Sequence, residues 1–215
     1  MNDESTKIVA IDGPAASGKS TVARQVAQEL GIVFVSSGEM YRAFTWWVLE
    51  NDVDPTDKNS VLELLKSTKF ICGKSENKST ITIDGKLLTR AEMASEPVNQ
   101  NVSVIAAIPE VRARLVAEQR AYAEKSGVVM EGRDIGSVVF PDTPLKFYID
   151  ASPEVRQQRR AAEGIEDSIA NRDKIDSNRK ASPLVIPEDA VVVDSSYMTA
   201  EEVVGEVLRE IRART

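Results

Sequence analysis

Apolar side chains fall along this chain in two rhythms. Short, nearly continuous runs at residues 7–12 (KIVAID), 32–35, 128–131, 145–149 and 190–194 are the mark of strands buried on both faces of a parallel sheet. Each is followed by a Gly, Ser or Pro signal and then by apolar positions at helical spacing, as over residues 21–30. Five strands alternating with helices predict an α/β core. Ser152 before Pro153 places a cap and then proline at the first helical position, and Thr199 with Glu202 makes a capping-box pattern ahead of a final helix.

Between Asn51 and Gly127 the rhythm changes. A helix near residues 60–66 precedes two strands with polar alternation, 69–72 and 79–83, and Asp84-Gly85 has the composition of a hairpin turn. This predicts an antiparallel insertion. Helical patterns near 97–107 and 109–125 then lead back to the third core strand.

Composition narrows the chemistry. The 215 residues contain no histidine, which excludes Ser-His-Asp and Cys-His nucleophiles and a histidine base. Cys72 is the only cysteine, so no intramolecular disulfide or thiolate cage can form, and a small apolar role is expected of it. The net charge of −7 argues against a nucleic-acid or anionic-membrane partner. With no leader pattern at MNDESTK and no run long enough to span a membrane, a cytoplasmic protein is expected.

Gly13-Pro14-Ala15-Ala16-Ser17-Gly18-Lys19-Ser20 fits G-x-x-x-x-G-K-[ST] and lies between the first strand and the first helix, the context that motif requires. Its glycines let backbone N–H groups curl round a phosphate, Lys19 reaches the β- and γ-phosphates, and Ser20 can ligate Mg²⁺. Thr21 completes the segment expected to hold ATP. Asp173-Lys174-Ile175-Asp176 does not match the guanine-reading N/T-K-x-D segment, which argues against a GTP switch. Arginines at strand ends point instead to transfer onto a second anion. Arg42 follows the second strand and Arg133 the third, where open α/β sheets bind ligands. Arg156, Arg159 and Arg160 follow the fourth, and Arg172, Asp176 and Arg179 are spaced to share a helical face. Glu131 and Asp12, each at a strand end, could both hold Mg²⁺ waters, and the sequence does not choose between them.

GPAASGKST, SSGEMYR (36–42), NVSVIAAIPEVR (101–112), EGRDIGSVVFPD (131–142) and RDKIDSNRKASPL (172–184) together resemble bacterial cytidylate kinase. The resemblance implies a nucleoside monophosphate kinase fold. Its phosphate-loop core would comprise residues 1–35, 127–153 and 181–215, with a five-stranded parallel sheet flanked by helices. An acceptor-binding domain at 36–126 would contain the antiparallel insertion, and a helical lid would span 154–180. Arg160 and Arg172 stand close together in sequence, which predicts a short lid.

Carried over by position, the resemblance makes Arg42 and Arg133 ligands of the acceptor phosphate, with Ser37 nearby, and turns Ser103, Arg112 and Asp134 toward cytosine. Arg172 and Asp176 would hold the ribose hydroxyls, with Arg179 bracing them. Arg156 and Arg160 would reach the transferred phosphate and Arg159 the ATP. The physics of the base agrees: cytosine offers an N4 amino group to a carboxylate and O2 and N3 to donors. Uracil presents O4 instead, and the mispaired buried carboxylate would cost about 1–3 kcal/mol. The implied reaction is transfer from Mg-ATP to CMP or dCMP by a monomer. Rival readings are a kinase for UMP, AMP or a metabolite such as shikimate, and a nucleotide-gated binding module that would use Trp46-Trp47 as an exposed interface; packing of that helix into the acceptor domain is the stronger expectation.

Overall fold

The computed structural model describes residues 7–75, 78–162 and 183–214, and the chain divides into two compact units, residues 36–125 and the remainder. In the larger unit five strands lie in the order β2-β6-β1-β7-β8: β1 Ile8–Asp12, β2 Val33–Ser36, β6 Val128–Gly132, β7 Lys146–Asp150 and β8 Val191–Asp194. Each expected strand is present within a residue or two of its predicted bounds. β1 runs parallel to β6, with Ile8 opposite Val128 and Asp12 opposite Gly132, and parallel to β7. The carboxyl ends of the central strands are therefore aligned. β1 connects outward past β6 to β2, whereas β6 connects across β1 to β7, so the connections change direction between β1 and β6, the place where such sheets open a crevice.

Val9, Ile11, Phe147 and Ile149 are fully or almost fully buried because helices cover the sheet. Helix α1 (Lys19–Leu30) contributes Val22, Ala23 and Val26, and the C-terminal helix α8 (Ala200–Arg214) contributes Val203, Val207 and Ile211 to the same core. Spacing of three and four residues puts each set on one helix face. Gly31 closes α1 in the left-handed conformation, its N–H bonding to the Ala27 and Gln28 carbonyls. Both predicted caps are formed. Ser152 Oγ accepts from Val155 N at the start of α7 (Pro153–Ala162), and Thr199 and Glu202 exchange the two bonds of a capping box.

The smaller unit holds α2 (Ser37–Glu50), α3 (Lys58–Ser67), strands β3 (Phe70–Ser75), β4 (Lys78–Ile83) and β5 (Lys86–Leu87), and α4 (Arg90–Met93), α5 (Glu96–Ala106) and α6 (Pro109–Ala123). β3 and β4 pair antiparallel with Phe70 opposite Ile83. Asp84 and Gly85, at φ 43° and 85°, make the tight turn from β4 to β5. The two-residue strand β5 and the one-turn helix α4 are too short to leave a periodic signal, and the sequence does not announce them. Trp46 is buried and Trp47 half-buried against this unit's core, so neither stands out as the exposed interface of the binding-module reading. Cys72 packs at the edge of the same core, and burial pushes its thiol up to about 11.

Among the described residues no helix is long and apolar enough to cross a membrane. Phe44 lies at the centre of the smaller unit, fully buried, with its ring 5.8 Å from that of Phe70. Phe44→Ala is expected to lower the unfolding free energy by about 3–5 kcal/mol, read from urea midpoints. A loss below about 1 kcal/mol would contradict this packing.

Candidate active site

In the larger unit the phosphate loop leaves β1 at Gly13, where any side chain would drive into the Ile149 carbonyl of the neighbouring strand. Gly18, at φ 87°, turns the chain into α1, and the N–H groups of Thr21 and Val22 bond back to its carbonyl. Lys19 is buried, donates to the Pro14 carbonyl at 3.0 Å and stands 4.0 Å from Glu131 at the end of β6. Ser20 and Thr21 are exposed at the helix start.

Among the described residues three arginines bond the loop backbone. Arg133 donates to the Gly13 carbonyl at 3.0 Å, Arg156 to that of Ala15 at 3.3 Å and Arg159 to that of Ser17 at 3.2 Å. Arg156 and Arg159 share one face of α7. Arg156 also bonds the Ala151 carbonyl, while Arg159 bonds the hydroxyl and the carbonyl of Ser195, just beyond β8. Arg160 lies on the same helix, half-buried. With Lys19 on Pro14, the carbonyls of four loop residues, Gly13, Pro14, Ala15 and Ser17, are engaged as acceptors.

Asp12 and Glu131, alike in sequence, differ in the fold. Both Asp12 oxygens accept backbone N–H bonds, from Ile135 at 2.8 Å and from Gly136 at 2.7 Å. Burial pushes the Asp12 carboxyl up to about 6 despite those two bonds, with nearby Asp134 adding to the rise and Lys19 opposing it. Asp134 is buried and opens a π-helical turn, Ile135–Val139, its carbonyl accepting from the N–H groups of Val138 and Val139. Lys146 packs its methylenes against Gly136 and ties its ammonium to the Pro141 carbonyl and to Asp189.

In the smaller unit, α5 organises the predicted residues. Asn99, Ser103 and Ala106 recur at four and three residues and so share a face. Arg42 on α2 donates to Asn99 Oδ1 at 2.5 Å and to the Met93 carbonyl at 3.2 Å, and Asn99 is itself anchored to the Ala94 carbonyl. At the other end of the face Arg112, on α6 and only 3% exposed, donates to the Ala106 carbonyl and lies over the Tyr41 ring at 5.3 Å. Seven residues of helix set these two ends about 10 Å apart, with half-buried Ser103 between them. Ser37 is buried at the first turn of α2. Arg172, Asp176 and Arg179 lie outside the described residues. Sequence reasoning missed Asn99 and Tyr41. The four-residue spacing of Asn99 from Ser103 and the direct adjacency of Tyr41 to Arg42 were the available signals.

The model of the family described as cytidylate kinase matches residues 9–213 of this chain. The chain belongs to the cytidylate kinase family. A cytidylate kinase of Desulforamulus reducens is 45% identical over 213 residues, covering 94% of this chain and 95% of that protein. One of Streptomyces avermitilis is 40% identical over 206 residues, covering 92% and 89%. The crystal structure of TT1252 from Thermus thermophilus is 18% identical and superposes with a TM-score of 0.50 over 97% of each chain, a likeness of fold alone. For a cytidylate kinase family member the sequence landmarks thus fall on both units. The phosphate loop with Arg133 and Asp134 belongs to one, and Arg42, Ser103 and Arg112 to the other.

Asp12 gives a pH signature. A carboxyl at 3.8 in the unfolded chain and about 6 in the fold contributes stability that is complete below pH 3.8 and lost as pH rises through 6. Other carboxylates titrate in the same range, so the contribution is read as the difference between wild type and Asp12→Asn. Urea unfolding at pH 4 and pH 7 is expected to show that difference shifted by about 2 kcal/mol in favour of wild type at the lower pH. A constant difference would refute the burial argument.

Proposed function

We propose that this protein transfers the γ-phosphoryl group of ATP to the 5′-phosphate of CMP or dCMP, giving ADP and CDP or dCDP. The observation that carries the reading is a phosphate loop whose carbonyls are held by Lys19, Arg133, Arg156 and Arg159, in a chain of this family, with buried Asp134 directly after Arg133. Residues 36–126 are the acceptor-binding domain in this reading, and residues 154–180 the lid.

An oxygen of the acceptor phosphate bonds to the γ-phosphorus as the bond from that phosphorus to the β,γ-bridging oxygen breaks, and the leaving electron pair stays on ADP. The acceptor's second ionisation lies near 6, so at pH 7 it is largely dianionic and needs no base, which suits a chain without histidine. The barrier is repulsion between two polyanions. In this reading Lys19 meets the β- and γ-phosphates, and Arg42 and Arg133 bind the acceptor phosphate, so that fixed positive charge lies where negative charge gathers. Arg156 and Arg160 serve the transferred group, and Arg159 the ATP. Ser37 supports the acceptor phosphate, and Arg172, Asp176 and Arg179 the ribose.

The Ser20 hydroxyl and the Glu131 carboxylate are hard oxygen donors that fit Mg²⁺, whereas Asp12 already spends both oxygens on backbone N–H groups. When bound there, Mg²⁺ would offset phosphate charge. Asp134 accepts from the cytosine amino group while Arg112 and Ser103 donate to O2 and N3. The protein acts on this reading as a cytoplasmic monomer.

A coupled ADP-release assay with Mg-ATP and CMP, dCMP, UMP, AMP or GMP is expected to give strong turnover with the two cytosine nucleotides, weak turnover with UMP and none with purines. Turnover confined to another acceptor would overturn the base assignment, and an equal rate without any acceptor would overturn the kinase reading. Lys19→Ala and Arg133→Ala are expected to abolish transfer while far-UV circular dichroism stays native. Asp134→Asn should cut the preference for CMP over UMP by about tenfold or more, since an amide can face either base.

A further inference from the structure

We infer that Asp12 is the positioning residue that sets Arg133 and Asp134 against the phosphate loop and thereby governs use of the acceptor nucleotide. The inference rests on the roles proposed above for Arg133 and Asp134.

β1 and β6 are in register up to the pair Asp12 and Gly132, and beyond it the two chains part, one into the phosphate loop and the other into the π-helical turn. Arg133 and Asp134 are the two residues between the last paired position and the turn. The backbone on their N-terminal side is fixed by the sheet ladder at Gly132. On their C-terminal side it is fixed by the N–H groups of Ile135 and Gly136, which donate to the two oxygens of Asp12. The first N–H groups of a helical turn have no partner within the turn, and here one carboxylate from a neighbouring strand satisfies two of them.

The Arg133 guanidinium adds a third tie, onto the Gly13 carbonyl, one residue past Asp12. Three bonds therefore lock a two-residue segment to the start of the phosphate loop. The remaining loop contacts, from Lys19, Arg156 and Arg159, do not pass through Asp12. Loss of the Asp12 carboxylate should release the segment while leaving the loop itself held.

The fit admits little substitution. Asparagine supplies one acceptor and turns its own N–H group toward a backbone N–H, so one bond becomes a repulsion. Gly136 leaves little room to spare: a Cβ there would meet Lys146 Cγ and Cδ at 3.3 Å, and because that lysine is buried and tied at its ammonium, the displacement of a few tenths of an ångström falls on the turn, whereas Asp12 Oδ2 at 3.4 Å would be an ordinary contact. π-Helical turns are rare and are found mostly at functional sites, which suits a segment built to aim two side chains.

The test is steady-state kinetics on the full chain for wild type, Asp12→Asn, Gly136→Ala and Arg133→Ala, varying CMP, UMP and ATP in turn. For Asp12→Asn the KM for CMP should rise at least tenfold and the CMP-over-UMP preference should fall at least fivefold, while the KM for ATP stays within threefold. Gly136→Ala should move the same constants in the same direction. A general loosening of the fold would raise both substrates' KM together, and that result overturns the proposal, as does a CMP KM within twofold of wild type. If Asp12→Asn does not fold, Gly136→Ala decides by the same limits; if neither folds, Asp12 serves folding and the proposal falls. Arg133→Ala separates the two layers. An impaired Arg133→Ala beside an unimpaired Asp12→Asn sinks the positioning role alone, whereas an unimpaired Arg133→Ala sinks the reading of Arg133 and this inference with it.

Discussion

A loop that wraps a polyanion must point its N–H groups inward, and its carbonyl groups then need partners of their own. The organisation of the larger unit follows from how that demand is met. Gly13, Pro14, Ala15 and Ser17 each pass a carbonyl to a cationic side chain. Those cations come from the end of β6, from α1 and from α7, and Ser195 beyond β8 joins them by donating its hydroxyl to the Ser17 carbonyl. Every central strand end is therefore tied to the loop. Shortening one of these side chains would remove a loop contact and, with it, a contact between neighbouring connections.

The choice of carbonyls as partners has an electrostatic consequence. A buried cation must be hydrogen-bonded to be tolerated, and a carboxylate partner would satisfy it at the cost of cancelling its field. A carbonyl dipole satisfies the donor and leaves the net charge in place. Arg156, at 8% exposure, makes such bonds, and so does Arg112 at 3% in the other unit, while buried Lys19 adds to its carbonyl bond the Glu131 carboxylate at 4.0 Å. A chain with net charge −7 can in this way keep local positive potential where phosphates are to bind, while its acidic surface supports solubility.

The core was legible in the sequence because a strand buried on both faces has no polar alternation to blur it, and 7–12 and 145–149 read cleanly for that reason. The phosphate loop was legible because its function fixes residue identities at a fixed spacing between a strand and a helix. β5, α4 and the π-helical turn were not, since each is too short for periodicity and depends on partners distant in sequence. Asp12 shows the limit most clearly. As a letter it was one of two carboxylates at strand ends, equivalent to Glu131, and only the arrival of Ile135 and Gly136, more than a hundred residues later, distinguishes the two. Asn99 was invisible for the same reason, because its use is to hold Arg42 and that contact spans α2 and α5.

Arg112 illustrates why the identity of a basic residue matters more than its charge. Its guanidinium lies between the face of Tyr41 and the Ala106 carbonyl in the last turn of α5. That carbonyl belongs to the helix end where acceptors lack partners and the dipole is negative, so a cation is stabilised there. The aromatic face attracts the same cation from another side. Together they constrain the plane of the guanidinium as well as its position, which is what the base-reading role proposed for Arg112 would require. A lysine could fill the place and keep the charge, but its ammonium has no plane to orient, and Tyr41 and Ala106 would then hold a charge without a direction.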